Sequence, residues 1–188
     1  MAQTTKQALA RALKKRAKHK SLDKITIVDI AEDCGVNRQT FYYHFHDIVD
    51  LVEWIFTREK IKAIDGKKMD ESWQNGFLRA FTYVLENRAF IENVYHSSCK
   101  EYLERYLYKE TYHLLLDVVN EKAEGMSVRE EDKQFIAYFY QFAFVGLLLD
   151  WIDGGMKEEP KNIIDHVSIL VQGDITKALE RYRIDKII

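Results

Sequence analysis

The stretch Thr26–Phe45, TIVDIAEDCGVNRQTFYYHF, constrains this chain more than any other. It reads as two short helices joined by a tight turn. Ile27, Ile30 and Ala31 stand at i, i+3, i+4 and share one helical face. Thr26 is a good N-cap for that helix, with Asp29 in its first turn. Cys34-Gly35-Val36 is the corner, where Gly35 can take the left-handed conformation that ends a helix and Val36 can seal the angle. Asn37 caps the second helix, in which Phe41 and Phe45 point inward. The other side then displays Arg38, Gln39, Thr40, Tyr42, Tyr43 and His44. An ordinary solvated face explains that set poorly. The recognition helix of a helix-turn-helix, shaped to enter a DNA major groove, explains it well.

Each displayed residue type suits a role on DNA. Arg38 and Gln39 can read base edges, because Arg pairs with guanine O6/N7 and Gln with adenine N6/N7 in bidentate geometry. Thr40 and Tyr42 can touch a thymine methyl or a phosphate, and Thr26 can meet a phosphate at the amide end of the preceding helix. The competing reading for Tyr42 and Tyr43 is packing against neighbouring helices. Charge points the same way as the motif. The total is −2, yet residues 1–46 hold nine Lys/Arg against four Asp/Glu, net +5, which leaves −7 for the rest. A basic head on an acidic body suits phosphate attraction.

The pattern T-x-x-x-I-A-x-x-x-G-V-x-x-x-T-F-Y-x-H-F, from Thr26 to Phe45, followed by the acidic cap Asp47 and an aromatic-containing fourth helix, resembles the DNA-binding domain of the TetR family of bacterial transcription regulators. The resemblance covers about Thr4 to Phe56. NRQTFYYHF and the late LLLDWIDGGM are similar to a subgroup of activators of dihydroxyacetone kinase operons. The resemblance implies that Tyr43 and His44 hold the DNA backbone, and that the fourth helix links the head to the body as a lever. It also implies a Lys just after the acidic cap, on a phosphate. Here that position is Ile48, so one such contact is missing.

The fold class expected is all-α. A single Pro and eight Gly in 188 residues leave little room for turns between strands. The expected division is a helix-turn-helix DNA-binding domain, 1–66, closed by Asp65-Gly66-Lys67-Lys68, and a helical effector-binding and dimerisation domain, 67–188. No run of 18 uninterrupted apolar residues and no basic leader with an apolar core is present, so neither a membrane partner nor secretion is expected. Cys34 and Cys99 lie in unrelated contexts, which fits a reducing cytoplasm.

In the body, Ser127 with Glu130 three residues on reads as a capping box, and a single last helix is expected from Pro160 to about Arg183. Phe135, Phe139, Phe142, Gly146 and Leu149 keep a coiled-coil-like spacing of four, three, four, three. With Ile163, Val167, Leu170 and Val171 of the last helix they are expected to form a four-helix dimer interface. Trp73, Phe77, Phe81, Tyr102, Tyr106, Phe139 and Phe142 either line an effector cavity or are plain core. Glu92, His96 and Cys99 stand at i, i+4, i+7 and are weak metal-ligand candidates, as is the Glu110/His113 pair; a wet helix surface is the competing reading, and no resident cofactor or metal is expected. No nucleophile elbow, P-loop or dinucleotide fingerprint occurs, so the chain does not read as an enzyme. The partners expected are an operator duplex, a second copy of the chain, and a small effector or protein co-activator. Three functions stay open: a ligand-controlled repressor, an activator answering to a protein or metal, and an architectural DNA-binding protein without a ligand.

Overall fold

The computed structural model describes residues 2–64 and 73–185, with side chains over 4–58 and 73–185. The described residues form ten α-helices and one short 3-10 turn, with no strand among them. In chain order these are α1 (Ala2–Arg16), the turn Leu22–Lys24, α2 (Ile27–Asp33), α3 (Arg38–His44), α4 (Ile48–Ile64) and α5 (Trp73–Glu86). They continue with α6 (Arg88–Tyr95), α7 (Lys100–Lys122), α8 (Glu130–Asp153), α9 (Pro160–Val171) and α10 (Asp174–Tyr182).

The chain divides into two compact units, Met1–Lys67 with Glu86–Leu103, and Lys68–Leu85 with Glu104–Ile188. In the first, α1 packs on α2, α3 and α4. Its core joins Leu9 and Leu13 of α1, Ile30 of α2, Phe41 of α3, and Leu51, Ile55 and Phe56 of α4, all essentially inaccessible to water. Burying each of these large side chains contributes about 1.5–3 kcal/mol before chain entropy is set against it. A single cut at 66/67, which falls outside the described residues, leaves out α6. That helix is amphipathic and turns Phe90, Ile91 and Val94 inward, with the Phe90 ring 5.9 Å from that of Phe56. Residues 86–103 belong to the first unit because its core is incomplete without them.

The second unit is built on aromatic contacts between α5 and α8. Phe77 stacks on Phe144 at 4.1 Å, Trp73 meets both edge-on, and Phe81 lies 5.1 Å from Trp151. Two local expectations are corrected here. α8 begins at Glu130 with Arg129 at its N-cap and no side-chain cap; the Ser127 carbonyl instead accepts the Ile184 amide at 2.9 Å. Arg129 holds the buried Asp132 at 2.8 Å, which fastens the first turn in place of a capping box. The last helix is two helices, because Gly173 takes φ +76° and ends the run between α9 and α10. Among the described residues, α8 is long and apolar enough to cross a membrane, and 44% of its most apolar stretch is buried within the chain.

Candidate DNA interface

α3 is held by its two phenylalanines. Phe41 is completely buried and Phe45 nearly so, with Phe45 also edge-on to Trp54 of α4. Asn37 caps the helix: its Oδ1 accepts the Thr40 amide at 2.9 Å and the Thr40 hydroxyl at 3.0 Å. Thr40 is therefore half-buried and already engaged, whereas Arg38 and Gln39 stand exposed beside it. Tyr42 and Tyr43 are 55% and 82% exposed, and their ring contacts are to Phe41 and His44 on the same helix. His44 is half-buried. The exposed row Arg38, Gln39, Tyr42, Tyr43 is thus an unspent polar and aromatic face on a rigid support.

The preceding helix is aimed by a small charged network. Thr26 Oγ1 accepts the Asp29 amide at 3.1 Å while Asp29 Oδ2 accepts the Thr26 amide at 2.9 Å, a reciprocal cap. Arg16 of α1 grips Asp33 with two nitrogens, at 2.6 and 2.8 Å, and Asp29 with a third at 3.0 Å; Lys20 also reaches Asp29 at 2.9 Å. The corner closes on Gly35 at φ +64°, with the Gly35 amide donating to Glu32 and the Val36 amide to Ala31, a Schellman ending. Lys20 and the Thr26 amide hold the Asp29 carboxyl well below the usual carboxylate range, and Arg16 does the same to Asp33.

A pH dependence follows from these shifts. Both carboxylates bind protons less tightly folded than unfolded, so their contribution is full above the ordinary carboxylate pKa, about 4, and is lost as pH falls toward the depressed folded values. The melting temperature is expected to drop on acidification from about pH 5 downward, and the Asp29→Asn variant is expected to show a shallower slope. Thermal melts across that range read the difference; equal slopes would remove Asp29 from the account.

The first unit also contains anchors without a local sequence signal. Asn93 of α6 donates from Nδ2 to the carbonyls of Ala17 and Lys20, both at 2.8 Å, and accepts the Leu22 amide on Oδ1 at 2.6 Å. Asp23 accepts both the amide and hydroxyl of Ser98, at 3.0 and 2.8 Å, and those donors lower its pKa. Lys14 reaches Asn87 Oδ1 at 2.6 Å. The partners lie more than seventy residues apart, so no window along the sequence contains both ends of any of these bonds.

The candidates in the rest of the chain differ in burial. Phe77 and Phe81 are core, Trp73 and Tyr106 are half-buried, and Tyr102, Phe139 and Phe142 are exposed. A cavity of about 320 Å³ in the second unit includes Trp73 alone among them. α6 ends at Tyr95 and His96 is its C-cap, which breaks the face that Glu92, His96 and Cys99 would share. Arg88 holds Glu92 at 2.9 Å, and burial pushes the Cys99 thiol pKa up. Among the described residues, no three His, Cys, Asp or Glu side chains, Glu110 and His113 included, are grouped to hold a metal. Of the residues expected at the dimer interface, Phe135, Phe142, Gly146 and Leu170 are exposed and Leu149 and Val171 are half-buried. Ile163 and Val167 turn into their own chain, at 9% and 7% exposure. The outward side of α9 is instead Ile169 and Leu170, both more than 70% exposed.

Two family models match the chain. Residues 9–55 match that of bacterial regulatory proteins of the tetR family, and residues 71–173 match a transcriptional regulator C-terminal region. The chain belongs to the TetR family.

One TetR-family relative is the HTH-type dhaKLM operon transcriptional activator DhaS of Lactococcus lactis subsp. lactis (strain IL1403), 29% identical over 91 residues. The match covers 48% of this chain and 49% of that relative, so the chain spans about half the length of the curated relative it matches. Among solved structures, the dihydroxyacetone kinase operon activator DhaS aligns with a TM-score of 0.74 at 20% identity, over 95% of this chain and 98% of that one. NalD, the secondary repressor of the MexAB-OprM multidrug efflux pump in Pseudomonas aeruginosa, aligns with a TM-score of 0.61 at 13% identity over all of both chains. The fatty acid degradation regulator FadR from Bacillus halodurans gives 0.61 at 16% identity, over 89% of this chain and 96% of that one. At such identities the structural likeness is one of fold. These proteins are named as activators, a repressor and a regulator.

Proposed function

We propose that this TetR-type chain is a sequence-specific transcriptional regulator in the cytoplasm. In this reading it binds a palindromic operator as a homodimer and is controlled by an effector sensed in its C-terminal part. The observation that carries the DNA reading is the exposed row Arg38, Gln39, Tyr42, Tyr43 on a helix whose Phe41 and Phe45 are buried. Arg38 and Gln39 read base edges; Tyr42, Tyr43, His44 and Thr26 meet the backbone. Asn37 and Thr40 act mainly by shaping the start of the helix, since their side chains bond to each other.

The homodimer follows from reach and from surface. A folded chain of this length has a radius of gyration of about 16 Å and carries one helix-turn-helix, while operator half-sites lie about 34 Å apart. Phe135, Tyr138, Phe139 and Phe142 of α8 and Ile169 and Leu170 of α9 are large, apolar and exposed. At i, i+3, i+4 and i+7 the four rings of α8 share one helix face, which a monomer rarely leaves bare. Gly146 has open space where a Cβ would stand, so nothing among the described residues requires glycine there. A partner helix approaching at that point does. The same contact accounts for the apolar outer side of α8 without a membrane.

Selection from random duplexes tests this reading and is expected to return a symmetric motif, bound with affinity that falls steeply with salt. Arg38→Ala or Gln39→Ala is expected to cost about 1–3 kcal/mol at one base position and to relax its specificity. Lys15→Ala is expected to weaken all sequences slightly and evenly. Equal loss on every duplex from Arg38→Ala would place the reading face elsewhere, and no symmetric motif at all would favour an architectural role. A second reading, an activator answering to a protein partner, is supported by the similarity to a relative named as an operon activator. An operator-linked reporter, followed with and without the gene for this chain, distinguishes activation from repression.

A further inference from the structure

The cavity of about 320 Å³ in the second unit is walled by the first turn of α5, the last turns of α7 and α9, and the start of α10. Its size is at the small end of ligand sites, which run from about 300 to 1,000 Å³. Much of the wall is apolar, including Trp73, Val118, Ile169 and Ile175. Five polar side chains interrupt it: Gln74, Lys122, Ser168, Gln172 and Thr176. Gln74 Oε1 and Ser168 Oγ are both buried without a hydrogen-bond partner, and both residues line this cavity. Buried polar atoms are nearly always bonded, and an orphan weakens the fold. Two orphans on the wall of one cavity are explained together if a ligand supplies their partners. Neither oxygen is open to the cavity as it stands, so the Ser168 side chain must turn about its one torsion, and the Gln74 amide about its terminal bond, to present them to a ligand.

Charge narrows the ligand. Lys122 lies on the wall, and its ammonium makes a loose 3.5 Å contact with the exposed Glu121. The start of α10, also on the wall, has no side-chain cap at Gly173, so its positive amide end is unblocked by a side chain. Asp174 in that turn is paired with Lys177 at 3.1 Å. We infer that this cavity binds a small hydroxycarboxylate. Its carboxylate meets Lys122 and the Ser168 hydroxyl, its hydroxyl donates to Gln74 Oε1, and its carbon body lies on Trp73 and Ile175. The inference rests on the reading of this part of the chain as effector-sensing, and names the site and the ligand class.

The test uses the full-length protein and four probes: 4-hydroxybutyrate, 4-hydroxyphenylacetate, butyrate and 1,4-butanediol. Binding is read by tryptophan fluorescence and calorimetry. At least one hydroxy acid is expected to bind saturably, with butyrate and the diol at least about tenfold weaker. Ser168→Ala and Gln74→Leu are expected to raise the melting temperature of the ligand-free protein, since they remove orphaned atoms, while weakening the bound hydroxy acid about tenfold. Lys122→Gln is expected to weaken it similarly and to reduce the salt dependence of binding. If neither hydroxy acid binds, or if Ser168→Ala and Gln74→Leu stabilise the protein and leave binding intact, the site is wrong. Operator affinity measured alongside separates the two readings. A probe that binds here without changing operator affinity upholds the site and removes its effector role. A probe that changes operator affinity equally in wild type and all three variants overturns the site and leaves effector control standing.

Discussion

Asn93→Ala is expected to destabilise the first unit by about 3 kcal/mol, a large share of the stability of a unit this size. One side chain is removed, yet three backbone groups lose their partner: the Leu22 amide and the carbonyls of Ala17 and Lys20. These lie at the end of α1 and in the turn before α2, where no helical ladder can take them up. A buried group left unbonded costs more than an exposed bond lost to water. Because α6 contributes Phe90, Ile91 and Val94 to the same core, loosening it also exposes apolar surface. The expected signature is a lower denaturant midpoint, with hydrogen exchange accelerated both in α6 and at the Leu22–Lys24 turn. Asn93→Asp keeps the acceptor for Leu22 and loses both donors, so it is expected to fall no nearer to wild type than to Ala. An Asn93→Ala protein as stable as wild type would mean that α6 is held by its apolar face alone.

Leu170→Asp is expected to raise the dimer dissociation constant by at least about a hundredfold while leaving the fold intact. Leu170 is 75% exposed in the single chain, so a carboxylate there is solvated in the monomer and buried, unpaired, only when a second copy covers it. Phe142→Asp tests α8, where the ring is 47% exposed and rests partly on Tyr108 and Tyr138. Val167→Asp has a different outcome, because Val167 is 7% exposed and belongs to its own chain's core; that variant is expected to unfold rather than to dissociate. Sedimentation together with circular dichroism separates these results. A Leu170→Asp protein that stays a tight dimer would move the interface off α9. A lost dimer is expected to carry operator affinity down with it, since a single head engages one half-site.

The pattern from Thr26 to Phe45 was enough to place α2, the Gly35 corner and α3 by local chemistry. Each cap, turn and inward phenylalanine lies within a few residues of the group it serves, so the periodicity and the cap residues contain the whole interaction. The all-α class was legible for the same reason. Near neighbours misled in two places. Ser127 and Glu130 have capping-box spacing, but Ser127 is drawn to Ile184 and Arg129 fastens Asp132 instead. The run from Pro160 to Arg183 reads as one helix until Gly173 takes its left-handed turn.

What the sequence determined by itself is the set of local decisions: where helices start, which phenylalanines turn inward beneath the exposed row of α3, and where basic charge collects. What only the tertiary structure decided is pairing at long range. It returned α6 to the first unit through Asn93, turned Ile163 and Val167 inward while leaving Leu170 outside, and put the orphaned Gln74 and Ser168 on the wall of one cavity. The physical reason is that an apolar stripe records only that a face is buried. Which face covers it depends on the packing of elements far apart in the chain, and helical spacing is blind to that.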